Sequence, residues 1–116
     1  MHSLLLTSLL LTSLTTALSM SCIPPTTLTL ARTADKMPSI GFGLWKLTNV
    51  TEVVQTAISK GWRHFDSACD YGNEVEVGAG LAQGLVNSGL KREDLWVTSK
   101  LWNTFHHPDH VEMACR

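Results

Sequence analysis

The run Asn49-Val50-Thr51-Glu52-Val53-Val54-Gln55-Thr56-Ala57-Ile58-Ser59-Lys60, followed by Gly61 and then Trp62-Arg63-His64-Phe65-Asp66, decides the fold. Val50, Val53, Val54, Ala57 and Ile58 recur at the i, i+3, i+4, i+7 and i+8 positions of one helical face. Asn49 with Glu52 three residues on resembles a capping box, and Gly61 suits a left-handed cap at the far end. The spacing predicts a helix over 49–60. The period then changes, and residues 62–66 read as a short strand. A helix feeding directly into a strand is half of a repeating βα unit, and such units build parallel sheets.

The alternation continues on both sides. Residues 27–32 and 39–45 read as strands that pair as a hairpin across a turn at 33–38. A second helix is expected over 74–87, with Val77, Leu81 and Leu85 on one face and Gly89 ending it. Residues 91–94 form a charged turn and 96–101 a third parallel strand, after 39–45 and 62–66. Pro108, favoured in a first helical turn, opens another helix that runs to Arg116. Gly78, Gly80 and Gly84 imitate a dinucleotide-binding loop. Their spacing is G-x-G-x-x-x-G, however, and they fall inside a helix rather than directly after a strand. Close packing between helices is the better account of them.

Composition narrows the function. The chain has 116 residues, the size of one ordinary domain. Nine basic and ten acidic residues give a net charge of −1 without any basic run, so there is no electrostatic footprint for nucleic acid. Three scattered cysteines, Cys22, Cys69 and Cys115, make no disulfide framework and no metal-ligand spacing. His106, His107 and His110 lack a second cluster to close a tetrahedral site, and read as a loop entering the helix at Pro108. No metal is expected.

Residues 1–19 stand apart. They contain Leu4-Leu5-Leu6-Thr7-Ser8 and its repeat Leu9-Leu10-Leu11-Thr12-Ser13, and end in Ala17-Leu18-Ser19. Small residues there suit signal-peptide cleavage, although no Lys or Arg precedes Arg32. Ser and Thr interrupt the run, which falls short of a membrane span of ~20 apolar residues. Two readings stand side by side: a cleaved signal, which implies the secretory pathway, or a non-native leader on a cytoplasmic protein. Residues 20–27, with Pro24-Pro25, read as a linker, and the working segment is 28–116.

Three polar groups converge in this scheme. Asp66 ends the second strand, Tyr71 lies five residues on in the following loop, and Lys100 sits near the end of the third strand. Neighbouring parallel strands present their C-terminal ends at one mouth, where barrel enzymes place their chemistry. A phenol titrates near ~10, and an adjacent ammonium favours its ionised form. A lysine buried at such a mouth needs a counter-ion, which Asp66 supplies. Tyr71 is then placed to protonate a carbonyl oxygen while hydride reaches the carbon.

Gly61-Trp62-Arg63-His64-Phe65-Asp66-Ser67-Ala68, then Tyr71-Gly72-Asn73-Glu74 and Val77-Gly78, closely resemble the aldo-keto reductase signature. Thr98-Ser99-Lys100-Leu101-Trp102-Asn103 resembles that family's second motif. Met37-Pro38 with Gly41-Phe42-Gly43-Leu44-Trp45-Lys46 resembles its first barrel strand. The resemblance covers residues 28–116 and implies an α/β fold of the (β/α)8 TIM-barrel type, of which the hairpin and the first three βα units are present. It implies reduction of aldehydes or ketones with NADPH, or NADH in some members.

Residue by residue, the resemblance makes Tyr71 the proton donor and matches Asp66 and Lys100 to two of its catalytic companions. A fourth, a histidine, belongs to a later strand. Gly43, Leu44, Lys46 and Asp66 match cofactor-contacting positions, and Trp45 and Trp102 match the substrate pocket. Asp70 before Tyr71 resembles sugar-reducing members such as xylose reductases, where a carboxylate accepts bonds from sugar hydroxyls. A barrel of this type needs roughly 250 residues, so the chain is expected to be truncated and inactive alone, with apolar faces exposed. Two other classes are a non-catalytic cofactor-binding regulatory subunit and a short secreted product that binds a partner. Retained turnover of an aldehyde separates the reductase from both.

Overall fold

The computed structural model describes residues 26–116; the leader at 1–19 and residues 20–25 of the linker lie outside the described residues. The elements, in order, are β1 (Thr27–Thr29), β2 (Lys36–Pro38), β3 (Phe42–Gly43), α1 (Val50–Ser59), β4 (His64–Asp66), α2 (Glu74–Ser88), β5 (Trp96–Thr98) and α3 (Pro108–Ala114). Strands β3, β4 and β5 form a parallel sheet in that order, with Phe42 opposite Phe65 and Phe65 opposite Val97. Successive βα units therefore lay their strands side by side, as the alternation of periods predicts.

The hairpin differs from expectation. Strand β1 pairs antiparallel with β2, Leu28 opposite Met37, across a turn closed by Leu30 N–H to Asp35 C=O at 2.9 Å and Ala34 N–H to Leu30 C=O at 2.8 Å. The segment expected as the turn thus supplies the second strand, and residues 39–45 supply β3 instead. A two-residue period marks a strand but does not name its partner. What decides is packing: parallel pairing sets the Phe42 ring 5.2 Å from Trp62 and 6.2 Å from Phe65, centroid to centroid.

Helix α1 covers this sheet because its apolar stripe is continuous. Val50, Val54, Ala57 and Ile58 are buried, together with Leu44, Phe65, Val77 and Leu95. Full burial of side chains such as Phe65 and Ile58 stabilises by about 1.5–3 kcal/mol each. The far end of α1 closes as a Schellman motif. Gly61, at φ 95°, donates to Ile58 C=O at 3.0 Å, and Trp62 donates to Ala57 C=O at 3.0 Å. The near end is not the capping box expected. Asn49 has φ 52°, in the left-handed region, and its side chain makes no capping bond. Capping needs an extended backbone at that residue.

Helix α2 lies directly against α1, and two of its three glycines explain how. A methyl added at Gly80 would come within 2.8 Å of both Thr51 O and Val54 Cβ, and one at Gly84 within 2.5 Å of Ile58 Cδ1. Gly78 faces open space. Close packing therefore accounts for Gly80 and Gly84 and leaves Gly78 outside it. Thr51 Oγ1 also donates to Glu76 C=O at 3.0 Å. At α3, His107 Nδ1 accepts from Asp109 N–H at 3.4 Å, a local capping task for one of the three clustered histidines. Among the described residues, no helix is long and apolar enough to cross a membrane.

Candidate active site

Period two along β4 sorts its side chains between layers. Phe65 goes to the helix layer and is fully buried, while His64 and Asp66 go to the opposite face. There His64 bridges elements: Nδ1 lies 3.2 Å from Pro38 O on β2, and Nε2 lies 3.1 Å from Thr98 Oγ1 on β5. Asp66 pairs with Gly43 on one side and Thr98 on the other, at the C-terminal end of both neighbours. Its carbonyl accepts from Leu44 N–H at 3.0 Å. The strand end is thus fixed by main-chain bonds before any side chain acts.

Beyond Asp66 the chain makes a 3-10 turn over Cys69–Tyr71, closed by Tyr71 N–H to Ala68 C=O at 3.0 Å. Lys100 follows β5 by two residues and reaches back. Its Nζ donates to Asp66 Oδ1 at 2.8 Å, Ser67 O at 2.8 Å and Tyr71 Oη at 3.0 Å. An ammonium has three donors, and all three are used. Because the ammonium cannot accept, Tyr71 Oη is the acceptor, and the phenol proton remains free to point away from Lys100.

The hydrogen bond that Lys100 donates to Asp66 is the largest influence on the lysine and raises its pKa; burial opposes it, and Tyr71 adds to the rise. The lysine is less enclosed than the sequence implied. Its side chain is 46% exposed and that of Asp66 38%. Strand β5 is an edge of the sheet among the described residues, with no further strand paired beyond it. The ammonium is held by geometry more than by exclusion of water.

The other expected site residues gather around this trio unequally. Leu44 is fully buried, and its carbonyl accepts from Asn73 Nδ2 at 2.9 Å. Trp45 is 61% exposed with its ring centroid 6.3 Å from that of Tyr71. Lys46, at φ 55°, sets its Nζ 4.4 Å from the Trp45 ring centroid. A Cβ added to Gly43 would meet nothing within 4 Å, so the strand end beside Asp66 is open. Asp70 is exposed on the 3-10 turn. Trp102 stands at the start of the turn after Lys100, exposed and out of ring contact with Trp45 and Tyr71.

Two parts of the arrangement were missed. The Ser67 carbonyl is a main-chain acceptor that no side-chain motif announces. Ser99 Oγ donates to Glu74 Oε1 at 2.6 Å, tying the residue before Lys100 to the start of α2. The polar pair Asn73-Glu74 directly before the apolar face of α2 was the available signal for that second contact.

No family model matches the chain. Curated relatives do. An NAD(P)H-dependent D-xylose reductase named as probable, from Arthroderma otae, is 56% identical over 82 residues, covering 69% of this chain and 25% of the relative. The NAD(P)H-dependent D-xylose reductase of Aspergillus niger is 54% identical over 82 residues, covering 69% and 26%. The 4-dihydromethyl-trisporate dehydrogenase of Mucor mucedo is 56% identical over 86 residues, covering 72% and 27%. Among solved structures, the aldose reductase of Schistosoma japonicum matches with a TM-score of 0.70 and 41% identity over 79% of this chain and 30% of that one. The chain spans about a quarter of the length of the curated relatives it matches. Over that partial span the chain is similar to aldo-keto reductases, and within them to xylose and aldose reductases.

Proposed function

We propose that the native gene product carrying this segment reduces an aldehyde or ketone, with aldose sugars as the substrate class, using NADPH or NADH. The single observation behind the reading is the ammonium of Lys100 with all three donors spent on Asp66, Ser67 and Tyr71. That geometry leaves the Tyr71 O–H as the outward donor. Support for the cofactor comes from relatives named as NAD(P)H-dependent reductases. Support for the (β/α)8 barrel comes from the aldose reductase match and the parallel order β3-β4-β5.

The residues present fit a nicotinamide cofactor. Gly43 leaves the strand end open beside Asp66, and Lys46 offers a cation for a pyrophosphate. When bound, the dihydronicotinamide supplies the hydride to the carbonyl carbon. The chain's own residues handle the oxygen. Tyr71 donates its O–H to the carbonyl oxygen, and the proton moves across as charge develops there. The phenolate left behind faces the Lys100 ammonium, which Asp66 keeps charged. Trp45 forms one wall beside Tyr71, and Asp70 is available to sugar hydroxyls.

The test is an assay of the protein expressed from its native transcript, following oxidation of NADPH and NADH with D-xylose and with a simple aliphatic aldehyde. Turnover that falls by ~10²–10⁴-fold in Tyr71→Phe is the expected outcome. Tight cofactor binding without turnover of any carbonyl would instead make it a cofactor-binding regulatory protein.

A further inference from the structure

Lys100 lies beyond the last pair of the ladder, Asp66 with Thr98, so the sheet itself does not fix its backbone. Its main-chain tie is the bond from Cys69 N–H to Lys100 C=O, at a long 3.4 Å. The side chains of Ser99 and Lys100 leave in opposite directions. Lys100 turns to Asp66 and Tyr71, and Ser99 turns to Glu74 in the first turn of α2. We infer that Glu74 is a positioning residue for proton transfer, acting through Ser99 to set where the Lys100 ammonium meets Tyr71. The inference rests on the reductase reading above and adds to it a residue outside the Asp66, Tyr71 and Lys100 trio.

The start of α2 is held to the residue after β3 by Asn73 Nδ2 donating to Leu44 O at 2.9 Å, and to the segment after β5 by Ser99 Oγ donating to Glu74 Oε1 at 2.6 Å. Tyr71 hangs from the same segment, two residues before Asn73. The phenol and its ammonium partner are thus registered to one helix start, although 29 residues separate them in sequence. A hydroxyl bond to a carboxylate is charge-assisted and short, which lets it persist in an exposed position. A lysine side chain is long and flexible, so a free backbone at 99–100 would spread its Nζ over many positions.

Four forms of the native gene product test this: wild type, Glu74→Ala, Ser99→Ala and Glu74→Gln. The Gln variant keeps the acceptor and loses the charge. Both Ala variants should lower kcat by on the order of 10-fold, within the ~10²-fold that a 1 Å misplacement costs, with KM little changed. Glu74→Gln, which keeps a weaker acceptor, should recover part of the kcat that Glu74→Ala loses. An independent reading, free of turnover, is the Lys100 ammonium signal in 1H–15N spectra. It should weaken in both Ala variants and persist in Glu74→Gln. Unchanged kcat and spectra in the Ala variants, or a Gln variant as impaired as Ala, would overturn the inference. If the wild type reduces no carbonyl, the reductase reading fails by itself, and the ammonium spectra still decide whether Glu74 positions Lys100.

Discussion

Gly80 and Val54 stand so close that a methyl on the glycine would lie 2.8 Å from Val54 Cβ and equally near the Thr51 carbonyl. Neither obstacle is a flexible chain end. Gly80→Ala should therefore push α2 off α1 and cost about 1–3 kcal/mol of unfolding free energy. Gly84→Ala should cost less, since its obstacle is the terminal Cδ1 of Ile58, which has other rotamers. Gly78→Ala should stabilise by up to ~1 kcal/mol, because it meets only solvent and alanine suits a helix. Urea unfolding of the three variants gives the ranking, and a Gly80→Ala protein as stable as wild type would refute the packing account.

His64 joins the hairpin to the sheet through Pro38 O and Thr98 Oγ1. His64→Phe preserves a ring of similar shape but leaves both oxygens without that partner. The expected loss is about 1–3 kcal/mol. Thr98→Val, which removes one of the two contacts, should lose less. Equal unfolding midpoints for wild type and His64→Phe would show that the bridge is incidental.

Lys100 titrates above the usual lysine range, chiefly through its bond to Asp66. A raised folded pKa means that the contact stabilises fully below the unfolded value of about 10.4 and is lost as pH climbs through the folded one. The stability gap between wild type and Lys100→Met should be flat from neutral pH to that value and shrink above it. Its size should stay within the ~0–1 kcal/mol typical of solvent-accessible pairs. A 13C titration of lysine Cε resonances should show Lys100 with a late midpoint that moves down in Asp66→Asn. No movement would remove Asp66 as the cause.

Asp70 precedes the phenol and is exposed. If it receives sugar hydroxyls, Asp70→Ala should raise KM for aldoses well beyond any change for an aliphatic aldehyde. Steady-state kinetics on both substrates decide the matter, and parallel losses would detach Asp70 from sugar selection.

The sequence was most readable where the pattern and the packing are the same thing. Val50, Val54, Ala57 and Ile58 are both the period of α1 and its buried face. Asp66, Tyr71 and Lys100 were legible because strand ends in a parallel sheet share a mouth, and the structure does bring them together. The partner of β1 was not legible, since alternation is blind to which strand lies alongside. Asn49 misled because its left-handed backbone annuls a cap that its side chain alone suggested. The Ser67 carbonyl was invisible for a simpler reason: every residue has one, and only the turn of the chain aims it.

The attachment of Tyr71 and Lys100 differs from that of their neighbours. All five lie on connecting segments, but Tyr71 and Lys100 are tied by hydrogen bonds to Ala68, Asp66, Ser67 and each other, whereas the side chains of Trp45, Asp70 and Trp102 are exposed. Exposed side chains on connecting segments tolerate change that bonded ones do not. Natural drift, or a deliberate graft, has room to exchange the exposed side chains around the mouth while the Tyr71 phenol and the Lys100 ammonium stay where they are. Within one three-residue turn, then, a bonded side chain that resists exchange stands next to an exposed one that invites it.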